Sequence, residues 1–239
     1  MEQINRTKYQ RLVVKISGEY LAGEKGFGYD PPILEQLASD IEELIALNFS
    51  LGIVIGGGNI VRGRELKAID RRAADNVGML ATVQNAIVVS EILKQRKIPT
   101  LVYSSFPINK ITSYFNYQKV DRSLKEGVVC FFSGGTGNPF FTTDTTAILR
   151  AIEIKADLVL KGTMVDGIYT ADPKKDPAAQ FIHEITYTEA IKKNLQIMDM
   201  TAFSLAKEYQ IPIKVFDITM KGHILQAVLS KNIGTLVFE

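Results

Sequence analysis

Apolar residues in this chain alternate between two patterns. Short apolar runs bounded by turn residues lie at Arg11–Ile16, Leu51–Ile55, Pro99–Tyr103, Val128–Phe132, Asp157–Leu160, Ile213–Phe216 and Thr235–Phe238. Runs of that length predict strands, buried on both faces where the sheet is parallel. Between them apolar positions recur at helical spacing. Over Pro31–Leu47 the stripe is Ile33, Leu34, Leu37, Ile41, Leu44 and Ile45, with Asp30 as the expected N-cap and Pro31-Pro32 opening the first turn. Further helices are predicted over 73–96, 144–154, 201–209 and 221–229. Strands alternating with helices predict an α/β fold, a three-layer αβα sandwich around a mostly parallel central sheet. Residues 1–239 are read as one unit, with the turn-rich loop Asp172–Pro177 as the candidate boundary between lobes.

Composition narrows the chemistry. Of 239 residues, 28 are Lys or Arg and 26 Asp or Glu, and a net charge of +2 gives no general pull toward nucleic acid or membrane. One cysteine excludes an internal disulfide and any multi-cysteine zinc site. Cys130, inside an apolar run, is read as a buried structural thiol. His183 and His223 stand apart, and no metal-ligand spacing is present. The first ten residues are polar and no apolar run approaches membrane-span length, so a reducing, cytoplasmic setting is expected.

Gly56-Gly57-Gly58 closes the run Leu51–Ile55 and leads into Asn59-Ile60-Val61-Arg62-Gly63. Peptides without Cβ atoms can aim consecutive N–H groups at one point, and a following helix would add its positive end. Arg62 supplies a cation for the same anion. A phosphate is the expected guest. The spacing Gly58-x-x-x-x-Gly63 imitates a P-loop, but Arg64-Glu65 follows where Lys-Ser/Thr is required. Val61 likewise breaks the dinucleotide fingerprint G-x-G-x-x-G. The alternative for the glycines is a plain turn needing positive φ.

Ligands of parallel sheets bind beyond the carboxyl ends of the strands. Four segments should therefore converge: Lys15-Ile16-Ser17-Gly18, the Gly56–Gly58 loop, Ser133–Pro139, and Lys161-Gly162-Thr163. A lysine in an apolar strand is costly unless its ammonium reaches water or an anion. Thr142-Thr143-Asp144-Thr145 reads as a helix N-cap with an acid in the first turn, where Asp144 can also hold a lysine in place. Asp166-Gly167 reads as a hairpin turn, and Tyr169 offers a ring face to a base. Arg64, Lys67, Arg71 and Arg72 read as a solvated basic face.

These motifs resemble those of a known family. Lys15–Glu19 (KISGE), Gly23–Asp30 (GEKGFGYD), Val54–Gly63 (VIGGGNIVRG), Gly78–Val83 (GMLATV), Gly135–Asp144 (GTGNPFFTTD) and Val165–Pro173 (VDGIYTADP) are similar to the bacterial UMP kinases of the amino-acid kinase superfamily. The likeness runs from about Arg11 to the end of the chain, and GTGNPFFTTD is its most specific part. It implies phosphorylation of UMP by ATP, catalysed by Lys15, Lys161 and Asp144. By position it implies ATP contacts at Lys15, Ile16, Ser17, Gly18, Gly58, Arg62, Thr163, Tyr169 and Asp172. It implies a UMP pocket of Gly57, Asp75, Thr136, Gly137, Asn138, Pro139, Phe140, Phe141, Thr142 and Thr143. The N-terminal part would serve UMP, and the part from about residue 160 ATP. Mg²⁺ would arrive with ATP, with no firm protein ligand. A homohexamer and UTP inhibition are further implications.

In the resemblance, Gly23, Glu24, Lys25, Gly26, Phe27 and Gly28 match a loop linked to GTP activation. The helix over 79–96 lacks the basic residues of GTP-responsive members, with Ser90 and Leu101 at such places, which argues against GTP activation. Gly135 and Gly162 stand where alanine is common, and Met164 where lysine is. Two rival functions stay open: a carboxylate or carbamate kinase on the same fold, and a nucleotide-binding protein without turnover.

Overall fold

The computed structural model describes residues 8–61, 66, 68–171, 173, 175–176 and 178–239. Eleven strands are described: β1 (Arg11–Ile16), β2 (Ser50–Ile55), β3 (Thr100–Ser104), β4 (Ser113–Tyr114), β5 (Val129–Ser133), β6 (Leu158–Thr163), β7 (Ile168–Tyr169), β8 (Phe181–Ile182), β9 (Glu184–Thr186), β10 (Ile213–Asp217) and β11 (Thr235–Phe238). The helices are α1 (Gly18–Ala22), α2 (Pro31–Ala46), α3 (Arg71–Gln95), α4 (Tyr117–Lys125), α5 (Thr143–Glu153), α6 (Tyr187–Lys192), α7 (Met200–Glu208) and α8 (His223–Leu229). Nine strands form one sheet in the order β4-β3-β5-β2-β1-β6-β10-β11-β9. Every pair in it is parallel except β10 with β11.

The expected mostly parallel sheet with helices on both faces is therefore present, because strand side chains alternate between two cores. Leu12, Val14 and Ile16 of β1, Ile53 of β2 and Phe131 of β5 meet α1, α2, α3 and α8. Val13, Val54, Cys130, Phe132 and Val159 face the other way, onto α4 to α7. Cys130 is fully buried, and burial pushes its thiol up to about 12, as expected of a structural cysteine.

Three expectations change. Asp166-Gly167 is not a hairpin turn: β7 pairs with β8, so the connection is the longer segment after Tyr169. Gly167 is needed for packing, since a Cβ there would meet Phe181 and Thr235 at 2.7 Å. Asp30 occupies the N-cap position of α2 without a side-chain capping bond. Helix α3, finally, is long and apolar enough by composition to cross a membrane, contrary to the sequence reading. Its buried side packs on β2, β3, β5 and α2, which accounts for the apolarity.

Gly52 at the centre of β2 shows how tightly the second core is filled. A Cβ there would stand 2.5 Å from the ring of Phe132 and 3.3 Å from Ile154. Overpacking of this kind costs about 1–3 kcal/mol. Gly52→Ala should lower the urea midpoint of unfolding with an unchanged m-value, and a midpoint equal to wild type would show that this core can yield.

Candidate active site

The four segments expected to converge do so. Strands β5, β2, β1 and β6 are consecutive neighbours, all parallel, so their carboxyl ends lie side by side. Lys15 and Lys161 are register partners on adjacent strands. Strand parity turns both toward the face covered by α5. There the first turn of α5 presents Asp144. The Lys15 ammonium lies 2.9 Å from Asp144 Oδ1, and the Lys161 ammonium donates to Oδ2. All three side chains are about nine-tenths buried.

Burial alone would raise the pKa of Asp144, but the charges of Lys15 and Lys161 outweigh it and hold the carboxyl below its ordinary value. Burial lowers the pKa of Lys161; Asp144 opposes that shift and Lys15 adds to it. The contact from Lys15 lies off the hydrogen-bonding direction of Oδ1. Two cations thus share one paired anion, with Asp199 acting on Lys161 from further off.

Helix α5 is fixed by its cap. Thr142 Oγ1 accepts from the N–H groups of Asp144 and Thr145 at 3.1 and 3.3 Å. The same hydroxyl donates to Asp199 at 2.5 Å, and Thr145 donates to Asp199 at 3.2 Å. Asp199 itself caps α7 through the N–H of Ala202. Sequence reading missed Asp199. Its only sequence signal is that of a helix cap, and its partner Thr142 is 57 residues away.

The glycine loop differs from expectation in detail. None of Gly56, Gly57 and Gly58 has positive φ, which removes the plain-turn alternative. Their lack of side chains is a matter of close approach: a Cβ on Gly57 would meet Ala81 at 2.8 Å, and one on Gly18 would meet Gly58 N at 2.7 Å. The Gly56 N–H is spent on Ile16 O at 2.9 Å, so among the described residues only the Gly57 and Gly58 N–H groups are left for the cradle. A single turn closes the loop, with Val61 N on Gly57 O, and the next described helix begins at Arg71. Asn59 and Asn85, both fully buried, brace it from behind. Asn85 donates to Gly56 O at 2.6 Å, and Asn59 donates to Gly28 O at 2.8 Å, which ties the Gly23–Gly28 loop to the glycine loop.

A cavity of about 440 Å³ opens beside this loop. Gly57, Gly58, Asp75, Asn138, Phe141, Thr142 and Thr143 line it, together with Glu19 and Arg71. Asp75 accepts from Arg71 Nε at 2.8 Å and from the Phe140 N–H at 2.8 Å, so it already fixes the 136–143 loop. Gly134, Gly135 and Gly137, at the entrance to that loop, have positive φ, which explains three glycines within four residues. Thr136 holds the turn through Asn138, Pro139 lies within the loop, and the Phe140 ring is exposed.

Other candidates lie elsewhere. The Ile16 side chain is in the core, and Ser17 precedes α1. Thr163 donates to Val165 O and Phe216 O. Tyr169 lines a second cavity, of about 370 Å³, with Phe181, His183, Asp217 and His223. Neither histidine lines the cavity beside the glycine loop. Arg62 and Asp172 lie outside the described residues, as do Arg64 and Lys67 of the basic stretch. Among the described residues no group of three or more His, Cys, Asp or Glu could hold a metal ion.

The amino acid kinase family model matches residues 10–217. The chain belongs to that family. It is 46% identical over 234 residues to a uridylate kinase of Stutzerimonas stutzeri, covering 97% of this chain and 95% of the relative. It is 44% identical over 236 residues to a uridylate kinase of Mannheimia succiniciproducens, covering 98% of this chain and all of the relative. Its fold is similar to the UMP kinases of Bacillus anthracis (TM-score 0.93, 35% identity, 96% of each chain) and Ureaplasma parvum (TM-score 0.92, 36% identity, 97% and 100%).

The depressed pKa of Asp144 has a consequence for stability. Its contribution is present above the unfolded value of about 3.9 and is lost as pH falls below that through the folded value. The gap in unfolding free energy between wild type and Asp144→Asn should be large at pH 6, about 3 kcal/mol or more for a broken buried pair, and should narrow below about pH 4. A gap constant from pH 7 to 3, measured by urea titration, would show that Asp144 carries no charge in the fold.

Proposed function

We propose that the protein transfers the terminal phosphoryl group of ATP to UMP, giving ADP and UDP. The observation that carries this reading is the buried Lys15–Asp144–Lys161 cluster beside a cavity walled by the glycine loop and the 136–143 loop. Uridylate kinases 44–46% identical over nearly the whole chain support it.

The chemistry asks little beyond charge. The acceptor is a phosphate with a second pKa of about 6, ionised at neutral pH, so no general base is needed. The obstacle is repulsion between two anions and the charge that develops on the group in flight. Lys15 and Lys161, already desolvated, meet that charge without reorganising, and Asp144 keeps both ammonium groups aimed at the strand ends. UMP would lie in the cavity of Gly57, Asp75 and residues 136–143, with Asp75 accepting from ribose hydroxyls by lone pairs left over from Arg71 and Phe140. ATP would extend from Gly58 and the lysines toward Thr163 and Tyr169, with Arg62 and Asp172 completing its contacts. The chain would thus act as one unit, its part from about residue 160 serving ATP. Mg²⁺ enters as part of the nucleotide substrate.

Regulation and assembly belong to the same reading. A homohexamer working in the cytoplasm and inhibited by UTP is the expectation. GTP activation is not expected: Ser90 is buried on Thr100, with 2.7 Å between the hydroxyls, and offers no charge to a ligand.

Lys15→Ala should reduce kcat at least 100-fold, on the order of 3 kcal/mol of transition-state stabilisation, in protein that still unfolds cooperatively. ADP release from Mg-ATP should be measured with UMP, CMP, dUMP, AMP, carbamate, aspartate and acetylglutamate as acceptors. Turnover confined to UMP is expected. Activity on a carboxylate alone would overturn the substrate, and ATP binding with silence on every acceptor would overturn the enzymatic reading itself.

A further inference from the structure

Lys15 and Lys161 are not the only lysines that interrupt an apolar strand. Lys214 sits in β10 between Ile213 and Val215, and only 4% of it is exposed. Its neighbours face the α5–α7 core, so parity turns Lys214 to the opposite face, toward α8. Unlike the active-site pair it has no carboxylate against it, and no hydrogen bond or ion pair to it is found among the described residues. Glu184 acts on it only through space. The register explains why: Lys214 stands opposite Leu236 of β11, and Leu236 opposite Glu184 of β9. Two strand spacings of about 4.8 Å separate the two backbone positions, and no ion pair joins the side chains.

The side chain opens into a cavity of about 640 Å³. Leu158 at the start of β6, Pro212, Val228 of α8, and Leu236 and Phe238 of β11 give it apolar walls. Lys8, Lys231, Glu184 and Glu239 also line it, so among the described side chains three lysines face two glutamates. The cavity lies at the amino ends of β6 and β10. Leu158 precedes Lys161 by three residues of strand, about 10 Å, so this is a different site from that of the phosphoryl chemistry.

We propose that this cavity is a binding site for a small monocarboxylate with an aliphatic or aromatic body. The carboxylate would pair with the Lys214 ammonium, and the body would cover Leu158, Pro212, Val228 and Leu236. Burial of an unpaired ammonium is unfavourable, and burial lowers the pKa of Lys214; a bound carboxylate removes that cost. Apolar walls with a few polar and charged groups among them are usual for small-molecule sites of this size.

The test uses the full-length protein with hexanoate, 3-phenylpropionate, 3-phenylpropionamide and phenyl phosphate as probes, followed by calorimetry and saturation-transfer NMR. At least one carboxylate should bind saturably, and the amide, equal in shape but uncharged, at least about tenfold more weakly. Lys214→Met should lower carboxylate affinity by the same factor and leave phosphotransfer unchanged, while Lys214→Arg should retain binding. No saturable binding of either carboxylate to wild type would overturn the proposal. So would equal binding of acid and amide, undiminished binding to Lys214→Met, or preference for phenyl phosphate. The acid–amide comparison is made on wild type and does not depend on the variants folding.

Discussion

Two ammonium groups can be buried side by side here because one carboxylate is buried between them. Without Asp144, Lys15 and Lys161 would be like charges on adjacent strands in a low-dielectric interior, which the fold could not sustain in charged form. With it, the cluster is stable and still carries one positive charge in excess of neutrality. That excess is the functional property. It attracts phosphate, and because the side chains are already desolvated and fixed, their charges act at close to full strength on a group that passes between anions.

Much of the surrounding structure places that carboxylate. The first turn of α5 must stop at one position over β1 and β6, and its cap fixes it there. Thr142 caps the helix and is itself held by Asp199, which caps α7. One hydroxyl therefore links the ends of two helices to the cluster. On the other side the glycine loop must come close to β1, α1 and α3 together. That explains glycines at negative φ: the constraint is volume rather than dihedral angle, with Ala81 and the backbone near Gly18 occupying the space where Cβ atoms would stand. Asn59 and Asn85 take up the polar backbone groups that such packing would otherwise strand.

Strand runs, the long helices and the convergence of four strand ends were legible because they rest on local periodicity and on a general rule of parallel sheets. What escaped was non-local or too short to carry a period. Helix α4 has only Val120 and Leu124 as apolar anchors in a polar sequence, and β4 has two residues. The Asp166-Gly167 signal misled because turn chemistry describes a dipeptide, whereas the pairing of β7 depends on Phe181 and Ile182. Asp199 and Asn85 carry no motif; their roles exist only once segments distant in sequence are brought together.

The three buried strand lysines show where sequence reasoning must hand over to geometry. Lys15, Lys161 and Lys214 have the same signature, a cation inside an apolar run. Which core each one faces follows from parity, and which end of the sheet it occupies follows from its place in the strand. Lys15 and Lys161 fall near the carboxyl ends on the α5 face, opposite a helix N-terminus carrying an acid. Lys214 falls near the amino end on the other face, with Glu184 two strands away. Identical residues in similarly apolar local sequence thus acquire different surroundings, two paired and poised for phosphate, the third unpaired in a cavity with apolar walls. A buried lysine in a strand marks an anion site only together with what the topology sets opposite it.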